Sequence, residues 1–335
     1  MRRKEYSKDY NRPDYGLRDD KGHWKPPYPC GYAPLFSEKF KLKNLFKFLF
    51  GWDGYLFPRT FGYILLAVGT YFILHNEIAN FVGLSLWFIF HMFLRNLAMA
   101  VIVYSAYHLY LYTFKKEGNH KKYHPEWLHK DAKKFLFNNQ LKDNIFRTLV
   151  VGVPVWTAYE VLYVTLFAKG KLPFLAFYDN PVWFVVLLLI VPIIREAHFY
   201  WIHKILHTPF MMKHVHIKHH LNVNPGPWSG LSMHPVETIG YFSAALITFI
   251  IPSHPIHMFL FMQHAGLTPA YSHTGFEGPH AKGLWPSGQY FHYLHHKHVA
   301  CNFGGPGVPW DKWFGIFYNG EGKFKYKKVK LIDRK

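Results

Sequence analysis

Long apolar segments recur through the first two thirds of the chain. Four of them are long enough, alone or with their flanks, to form membrane helices; they cover 61–74, 81–112, 148–168 and the region that begins at residue 181. A spanning helix needs about 20 mainly apolar residues, which the second and third segments supply directly. Each segment could instead be a buried helix of a large soluble core, but the recurrence of such lengths favours four membrane crossings.

The fourth segment predicts a helix from Pro181 to His207, kinked at Pro192, whose end projects beyond the membrane. A fifth apolar segment, Thr238 to Ile251, is followed by PSHP and then by IHMFLFM. This pattern predicts a re-entrant helical hairpin that dips into the membrane. The predicted fold is therefore all-α: a polytopic membrane protein with about four transmembrane helices, that hairpin and a histidine-rich helical cap.

The segment before the first crossing is polar and basic. Charged residues continue well past the first 20 positions, so no signal peptide is expected. The run FKLKNLFKFLF from Phe40 places leucine and phenylalanine on one side and lysines elsewhere. It predicts an amphipathic helix that lies at the membrane interface or, equally, one that packs on the protein in water.

The distribution of charged residues indicates how the chain is oriented across the membrane. The chain has 39 Lys and Arg against 20 Asp and Glu, and the loop 115–147 has nine against four. Basic loops stay in the cytoplasm, so four crossings would place both termini, this loop and the region after His203 on the cytoplasmic side. Because the basic segments flank spanning helices, anionic lipid headgroups are expected as their partner, and nucleic acid is not.

The chain is rich in histidine, and most of its histidines lie in one region. Seventeen of its 24 histidines lie between His198 and His298, whereas it has only two cysteines. Three clusters have spacings that put each on one face of a helix: His203 and His207; His216, His219 and His220; His292, His295 and His296. Eight imidazoles are too many for one ion, so two metal ions are expected. Imidazole binds iron, zinc, copper and nickel alike.

Other residues are candidates of lower rank. His273, 19 residues before His292, would suit a ligand of the second ion, and Glu196 lies two turns before His203, where a carboxylate could orient a ligand imidazole. The weaker metal candidates are His234, His264 and His198, the last more suited to a supporting or interfacial position. The isolated histidines are expected in ordinary core positions: His75, His91, His108, His254 and His257.

Residues 180–318 resemble the membrane fatty acid hydroxylase/sterol desaturase superfamily. The order of motifs is similar: HxxxH, HxxHH, a lone histidine and a final HxxHH. Around them stand HPxE at 234–237, NFG at 302–304 and WDxxFG at 310–315. Departures are small: Ile316 stands where Thr is common, and Lys204 and Lys312 stand where Arg is common. On this resemblance the domains are a basic N-terminal segment (1–60), the first membrane helices with the basic loop (61–180), a fatty acid hydroxylase-like catalytic domain (181–318) and a basic tail (319–335).

The resemblance implies two histidine-bound iron ions at the cytoplasmic face, although zinc occupies those positions in some members. It further implies O2 as co-substrate and hydroxylation or desaturation of a lipid drawn from the bilayer. The sequence contains no haem or flavin motif, so electrons are expected from a partner such as a cytochrome or a ferredoxin with its reductase.

Two other functions stay open from the residues. A membrane metal transporter also needs spanning helices and histidines, but its ligands should lie near the bilayer midplane. A dinuclear zinc hydrolase would need a carboxylate base, for which Glu196 is available. The residues do not distinguish among sterol, fatty acyl and other lipid substrates.

Overall fold

The structure, a computed structural model, describes residues 16–52, 54–79, 85–278 and 289–324. Its helices are α1 (Leu42–Phe50), α2 (Phe61–Ala79), α3 (Leu86–His108), α4 (Gln140–Arg147), α5 (Val153–Ala168), α6 (Pro181–Leu206), α7 (Pro209–Met211), α8 (Ile217–His220), α9 (Pro235–Phe242), α10 (Pro255–Ser272), α11 (Tyr290–His298) and α12 (Trp310–Trp313). Two short antiparallel strands, β1 (Leu17–Arg18) and β2 (Trp24–Lys25), precede them. The predicted all-α class is confirmed. The tail beyond residue 324 and most of the loop 273–289 lie outside the described residues.

Four helices are long and apolar enough to cross a membrane, as predicted. They run over Leu56–Leu74, Leu86–Thr113, Gln140–Ala168 and Pro181–Leu206. The third begins earlier than its apolar segment because a π-helical turn, Thr148–Gly152, joins the polar helix α4 to α5. Large apolar side chains on these helices, such as Phe72, Ile73 and Ile102, are exposed, as lipid-facing residues are. The chain is an integral membrane protein.

Short polar side chains fix where the spanning helices begin. The Asn180 side chain accepts a hydrogen bond from the Trp183 amide at 2.9 Å, and Pro181 follows as the first residue of α6. Ser85 caps α3, and Asn139 caps α4 in the same way. Each cap satisfies one of the amides that a helix leaves unpaired at its start.

The fifth apolar segment forms the predicted hairpin, but this hairpin is longer than a shallow re-entrant turn. Helix α9 continues as a 3₁₀ helix, Ser243–Phe249, turns, and returns as α10. At the tip, the Ser253 amide donates to the Pro173 carbonyl at 3.2 Å, and the Trp183 indole donates to the Pro252 carbonyl at 3.0 Å. The tip therefore reaches the loop between α5 and α6, at the opposite end of α6 from His203.

Helix α10 forms the centre of the bundle. It packs against α2, α3, α5 and α6, and 15 of its 18 residues are buried. Gly266 lets the Trp156 ring approach closely, since a Cβ there would lie 2.4 Å from that ring. The Gly266 carbonyl also accepts a hydrogen bond from the Tyr104 hydroxyl at 2.9 Å. The hairpin is thus a structural core of the membrane part.

An ion pair joins α3 to α5 inside the bundle. Arg95 pairs with Glu160, whose other oxygen accepts from the Trp156 indole at 2.9 Å. Asn96 also donates to Glu160, at 2.8 Å. Pairing and hydrogen bonding explain how an arginine is tolerated within a predicted crossing.

The polar segments gather at the end of the bundle where α6 terminates. The amide of Gln140 donates to Asn222 at 2.9 Å, and the Lys122 ammonium donates to Asn224 at 3.1 Å, so the basic loop is attached to the segment after α8. The N-terminal segment joins the same end, where the Ala33 amide donates to the Pro306 carbonyl at 2.8 Å. One end of the molecule therefore carries the basic loop and all the histidine clusters.

Candidate metal centre

Four elements deliver histidines to one place. Helix α6 supplies His203 and ends next to His207, and a π-helical turn, Met212–His216, leads into α8. Helix α10 ends at His273, and α11 supplies the last cluster. Because residues at i, i+3 and i+4 share a helix face, each cluster points inward as a unit.

The nine histidines predicted as metal ligands form two compact groups, both fully made of buried residues. Within each group, one ring nitrogen of every member lies within 4.8 Å of the others. The larger group has five members: His203, His207, His216, His220 and His295. The smaller group has four: His219, His273, His292 and His296. The groups adjoin, since the rings of His219 and His220 are 5.8 Å apart between centroids.

The spacing of the nitrogens fits metal ligation. Nε2 atoms lie 3.0 Å apart in His203 and His216, 3.0 Å apart in His220 and His295, and 2.9 Å apart in His273 and His292. Two imidazole nitrogens bound to one ion at about 2.0–2.1 Å lie roughly 2.9–3.4 Å apart for right-angled or tetrahedral positions. The two groups therefore have the dimensions of two histidine-lined metal sites.

Hydrogen bonds on the other ring nitrogens strengthen this interpretation. The Nδ1 atoms of His203, His295 and His273 face the carbonyl oxygens of Phe303, Cys301 and Pro269, at 2.5, 2.7 and 3.0 Å. A carbonyl only accepts, so each Nδ1 carries the proton and each Nε2 presents a lone pair. Lone pairs that converge on one point repel each other unless a cation lies between them.

A carboxylate holds one of the central ligands. Glu237 Oε1 lies 2.8 Å from Nδ1 of His216, and both residues are buried. Carboxylate support of a ligand imidazole orients the ring and increases its basicity. The HPxE motif contained this glutamate, but its pairing with His216, 21 residues away, depends on how α9 packs beside the turn before α8.

Burial keeps the imidazoles neutral. Desolvation lowers the pKa of His216 to about 3 and the pKa of His219 to about 4, and it lowers the pKa of His207, His220, His273, His292, His295 and His296 well below the usual value. Burial raises the pKa of Glu237 to about 7. Unprotonated nitrogens are the form that binds metal, so the groups are ready for cations at neutral pH.

The other candidate residues lie outside both groups. Glu196 does not contact a ligand imidazole; its carboxylate accepts from the Val308 amide at 3.0 Å. His198 pairs with the Ser243 hydroxyl at 2.9 Å. His234 accepts from the Val236 amide at 3.2 Å and so caps α9. His264 packs edge-on against Tyr63.

A cavity adjoins the nitrogen groups on the side of α6 and α10. Its lining includes His203, His216, His219, His273 and His292, all from the two groups, together with apolar residues such as Phe199 and Met233. Its volume is about 90 Å³. The centre can therefore meet a small part of a larger apolar molecule while the rest stays outside this cavity.

Comparison with known proteins identifies the domain that holds these groups. Residues 186–316 match the fatty acid hydroxylase family model. The Delta(7)-sterol 5(6)-desaturase of Gibberella zeae is 24% identical over 220 residues, which cover 62% of this chain and 61% of that protein. Lathosterol oxidase of Rattus norvegicus is 28% identical over 138 residues (38% and 46%), and fatty acid hydroxylase domain-containing protein 2 of Macaca fascicularis is 30% identical over 139 residues (38% and 40%).

These alignments leave much of each protein unmatched, because the chain covers less than two thirds of the length of these relatives. No solved structure matches the chain significantly. The family match nevertheless contains all nine clustered histidines, so it includes both nitrogen groups. The fatty acid hydroxylase match and these relatives support the resemblance of this domain to the membrane fatty acid hydroxylase/sterol desaturase superfamily.

Proposed function

We propose that this protein is a membrane oxidoreductase that hydroxylates or desaturates a lipid, with O2 as co-substrate, at a histidine-bound pair of iron ions. The two groups of converging Nε2 atoms carry the proposal. The relatives named as a sterol desaturase and a lathosterol oxidase support lipid oxidation as the reaction class. Bound iron would supply the activation of O2 that attack on an unactivated C–H bond requires, because no side chain offers that chemistry.

The residues of the chain have distinct tasks in this proposal. The larger group would hold one ion and the smaller group the other. Glu237 and the carbonyl oxygens of Phe303, Cys301 and Pro269 hold the protons on Nδ1, which leaves Nε2 free for the metal. The cavity beside the groups would admit the reacting segment of the lipid and exclude water from it.

We further propose that the centre faces the cytoplasm. The basic loop 115–147 lies at the same end of the bundle as the histidines, and basic loops favour the cytoplasmic side. The basic surface formed by loop 115–147 would receive electrons from an acidic cytochrome or a ferredoxin with its reductase. The same surface would adjoin anionic lipid headgroups. If charge attraction brings the donor to this surface, added salt should slow turnover.

The geometry disfavours the two alternatives. The histidines lie at one end of the spanning helices, far from the hairpin tip at the other end, and not at the midplane where a transporter binds its ion. Glu196, the carboxylate that a hydrolase would need as its base, already accepts a hydrogen bond from the Val308 amide.

The proposal is tested with purified protein loaded with iron and supplied with a chemical reductant, native lipid extract and ¹⁸O2. We expect about two iron ions per chain and, by mass spectrometry, either a lipid that has gained ¹⁸O or one that has lost two hydrogens. Zinc-loaded protein is the control and should give neither product. Consistent absence of both products from iron-loaded protein would contradict the proposal.

A further inference from the structure

A second, larger cavity lies outside the first. It has a volume of about 330 Å³, within the range of small-molecule sites, and it is enclosed by α1, the start of α2, α6 and α10. Arg195, Glu196 and Thr268 line both cavities. The outer cavity therefore adjoins the cavity beside the nitrogen groups, with these three residues at their boundary.

The outer cavity has a cationic lining. Arg59 and Arg195 both line it, and Glu196 is the single acidic residue among the described residues of its lining. Glu196 is engaged by the Val308 amide and packs closely against Gly307. The carboxylate next to Arg195 in the chain therefore already accepts a backbone hydrogen bond.

Arg195 has donor capacity to spare. It makes no ion pair with any residue that the structure describes, and its guanidinium donates to the Tyr241 hydroxyl at 3.3 Å. Its Nε atom is buried without a hydrogen-bond partner. A buried cationic donor without a partner is costly, so this group points to a ligand that accepts.

Hydroxyl and ring groups complete the cavity. The Arg59 guanidinium stacks over the Tyr271 ring, with its carbon 4.2 Å from the ring centroid, which fixes the plane of the group. Tyr55, Tyr63 and Thr268 also line the cavity. His264 contributes a buried Nδ1 that has no partner. Planar guanidinium groups supported by hydroxyl donors are suited to carboxylate or phosphate.

We infer that the outer cavity binds the anionic head, a carboxylate or a phosphate, of an amphiphilic lipid whose apolar part reaches the inner cavity. This inference rests on the proposed function and specifies its substrate class. A neutral sterol, the substrate class in the names of several relatives, presents one hydroxyl and supplies no counter-charge to the Arg195 guanidinium. The mouth of the cavity adjoins α1 through Phe48, whose helix exposes Leu42, Phe46 and Phe50 as an interfacial helix would.

The test compares anionic lipids with neutral lipids of equal chain length. The full-length, iron-loaded protein in detergent at about pH 8 is titrated with oleate and with oleyl alcohol, and separately with lysophosphatidate and with monoolein; binding is followed by native mass spectrometry. We expect at least one anion to bind tenfold or more tightly than its neutral counterpart. A preference within the oleate and oleyl alcohol pair would indicate a carboxylate head, and a preference within the lysophosphatidate and monoolein pair would indicate a phosphate head.

Substitutions then assign the preference to this cavity. Arg195→Gln and Arg59→Gln should each weaken the preferred anion about tenfold and leave the neutral lipid unchanged, whereas Arg195→Lys should keep part of the preference. Lys39→Gln removes an equal charge from an exposed position and should have no effect. Equal binding of anions and neutral lipids by the unaltered protein, or a preference that survives both glutamine variants, would overturn the inference.

Iron content, measured on the same samples, separates this inference from the proposed function. It also shows that each variant retains its fold. Full iron loading without an anion preference overturns the head-group site alone. An anion preference in a protein that holds no iron and yields no oxidised lipid overturns the proposed function alone.

Discussion

His219 belongs to the smaller nitrogen group, where its Nε2 lies 3.3 Å from Nε2 of His273. Replacing it with alanine removes one of four imidazoles from that group and none from the other. We expect His219→Ala to lower the iron content from about two ions per chain to about one and to abolish product, as measured by elemental analysis and lipid mass spectrometry.

His198, a half-buried histidine outside both groups, provides the control for His219→Ala. His198 bonds to Ser243 and contacts neither group, so His198→Ala should retain both ions. Equal iron loss in the two variants would indicate general unfolding. Full iron content in His219→Ala would contradict its role as a ligand.

Glu237 contacts His216, which we propose as a metal ligand, and is not itself a member of either nitrogen group. Glu237→Gln keeps the shape of the side chain but replaces a carboxylate at the His216 Nδ1 by a neutral amide. Because such partners raise the basicity of a ligand imidazole, we expect metal affinity to fall roughly 10–100-fold. Competition with a chelator measures this, and an unchanged affinity would show that the carboxylate serves packing only.

At the level of residues, helical spacing carried most of the information. Clusters at i, i+3 and i+4 share a face whatever the tertiary fold, so the three clusters could be predicted as units, and the structure brings them together with His273. Single histidines lack this signal. His234 and His254 stand just before helices and accept from backbone amides there, a local role that their residue type alone does not reveal.

At the level of elements, the link between α3 and α5 can be tested. Glu160→Gln would keep only one of the two oxygens that accept from Trp156 and Asn96, and it would leave the Arg95 charge within the bundle without its counter-charge. Breaking one half of a buried pair costs about 3 kcal/mol or more. We expect a clear drop in the thermal unfolding temperature of the detergent-solubilised protein.

The double variant Arg95→Met/Glu160→Gln removes both charges and should recover much of that loss, because no buried charge remains unpaired. A single variant as stable as the unaltered protein would show that water or lipid screens the pair. The result would also show whether Arg95 has a structural role, which its position in an apolar segment left open.

The hairpin shows where apolar patterning reaches its limit. The segment 238–251, PSHP and the apolar run after it predicted two antiparallel helices, and these form. How deep they reach depends on contacts between distant segments, such as Ser253 with Pro173 and Trp183 with Pro252. Hydropathy along the chain does not encode those contacts, and α10 is also polar enough in places, with Gln263 and His264, to fall outside the four candidate spans.

At the scale of the whole molecule, the orientation can be measured. The loop at Lys130 lies on the side of the histidines, whereas Tyr178, 91% exposed, lies in the loop at the opposite end. In a background with Cys30 and Cys301 replaced by serine, we expect Lys130→Cys to react with a membrane-impermeant thiol reagent only after cells are opened. Tyr178→Cys should react in intact cells if its end faces outward.

Labelling of both cysteines from the same side would contradict the single crossing, Gln140–Ala168, that separates the two loops. Labelling of Lys130→Cys in intact cells, with Tyr178→Cys protected, would place the centre on the outer side. Each result can be obtained without knowledge of the substrate, so the topology is tested independently of the chemistry.

Helices α6 and α10 each extend from the far loop to one of the two nitrogen groups. Helix α6 begins beside the hairpin tip and carries His203, while α10 begins at that tip and leads to His273. A bilayer thinner or thicker than the helices require makes them tilt. Such a tilt would move one imidazole of each group against partners held on α8 and α11, so the membrane in which the protein resides would itself adjust the geometry of the centre.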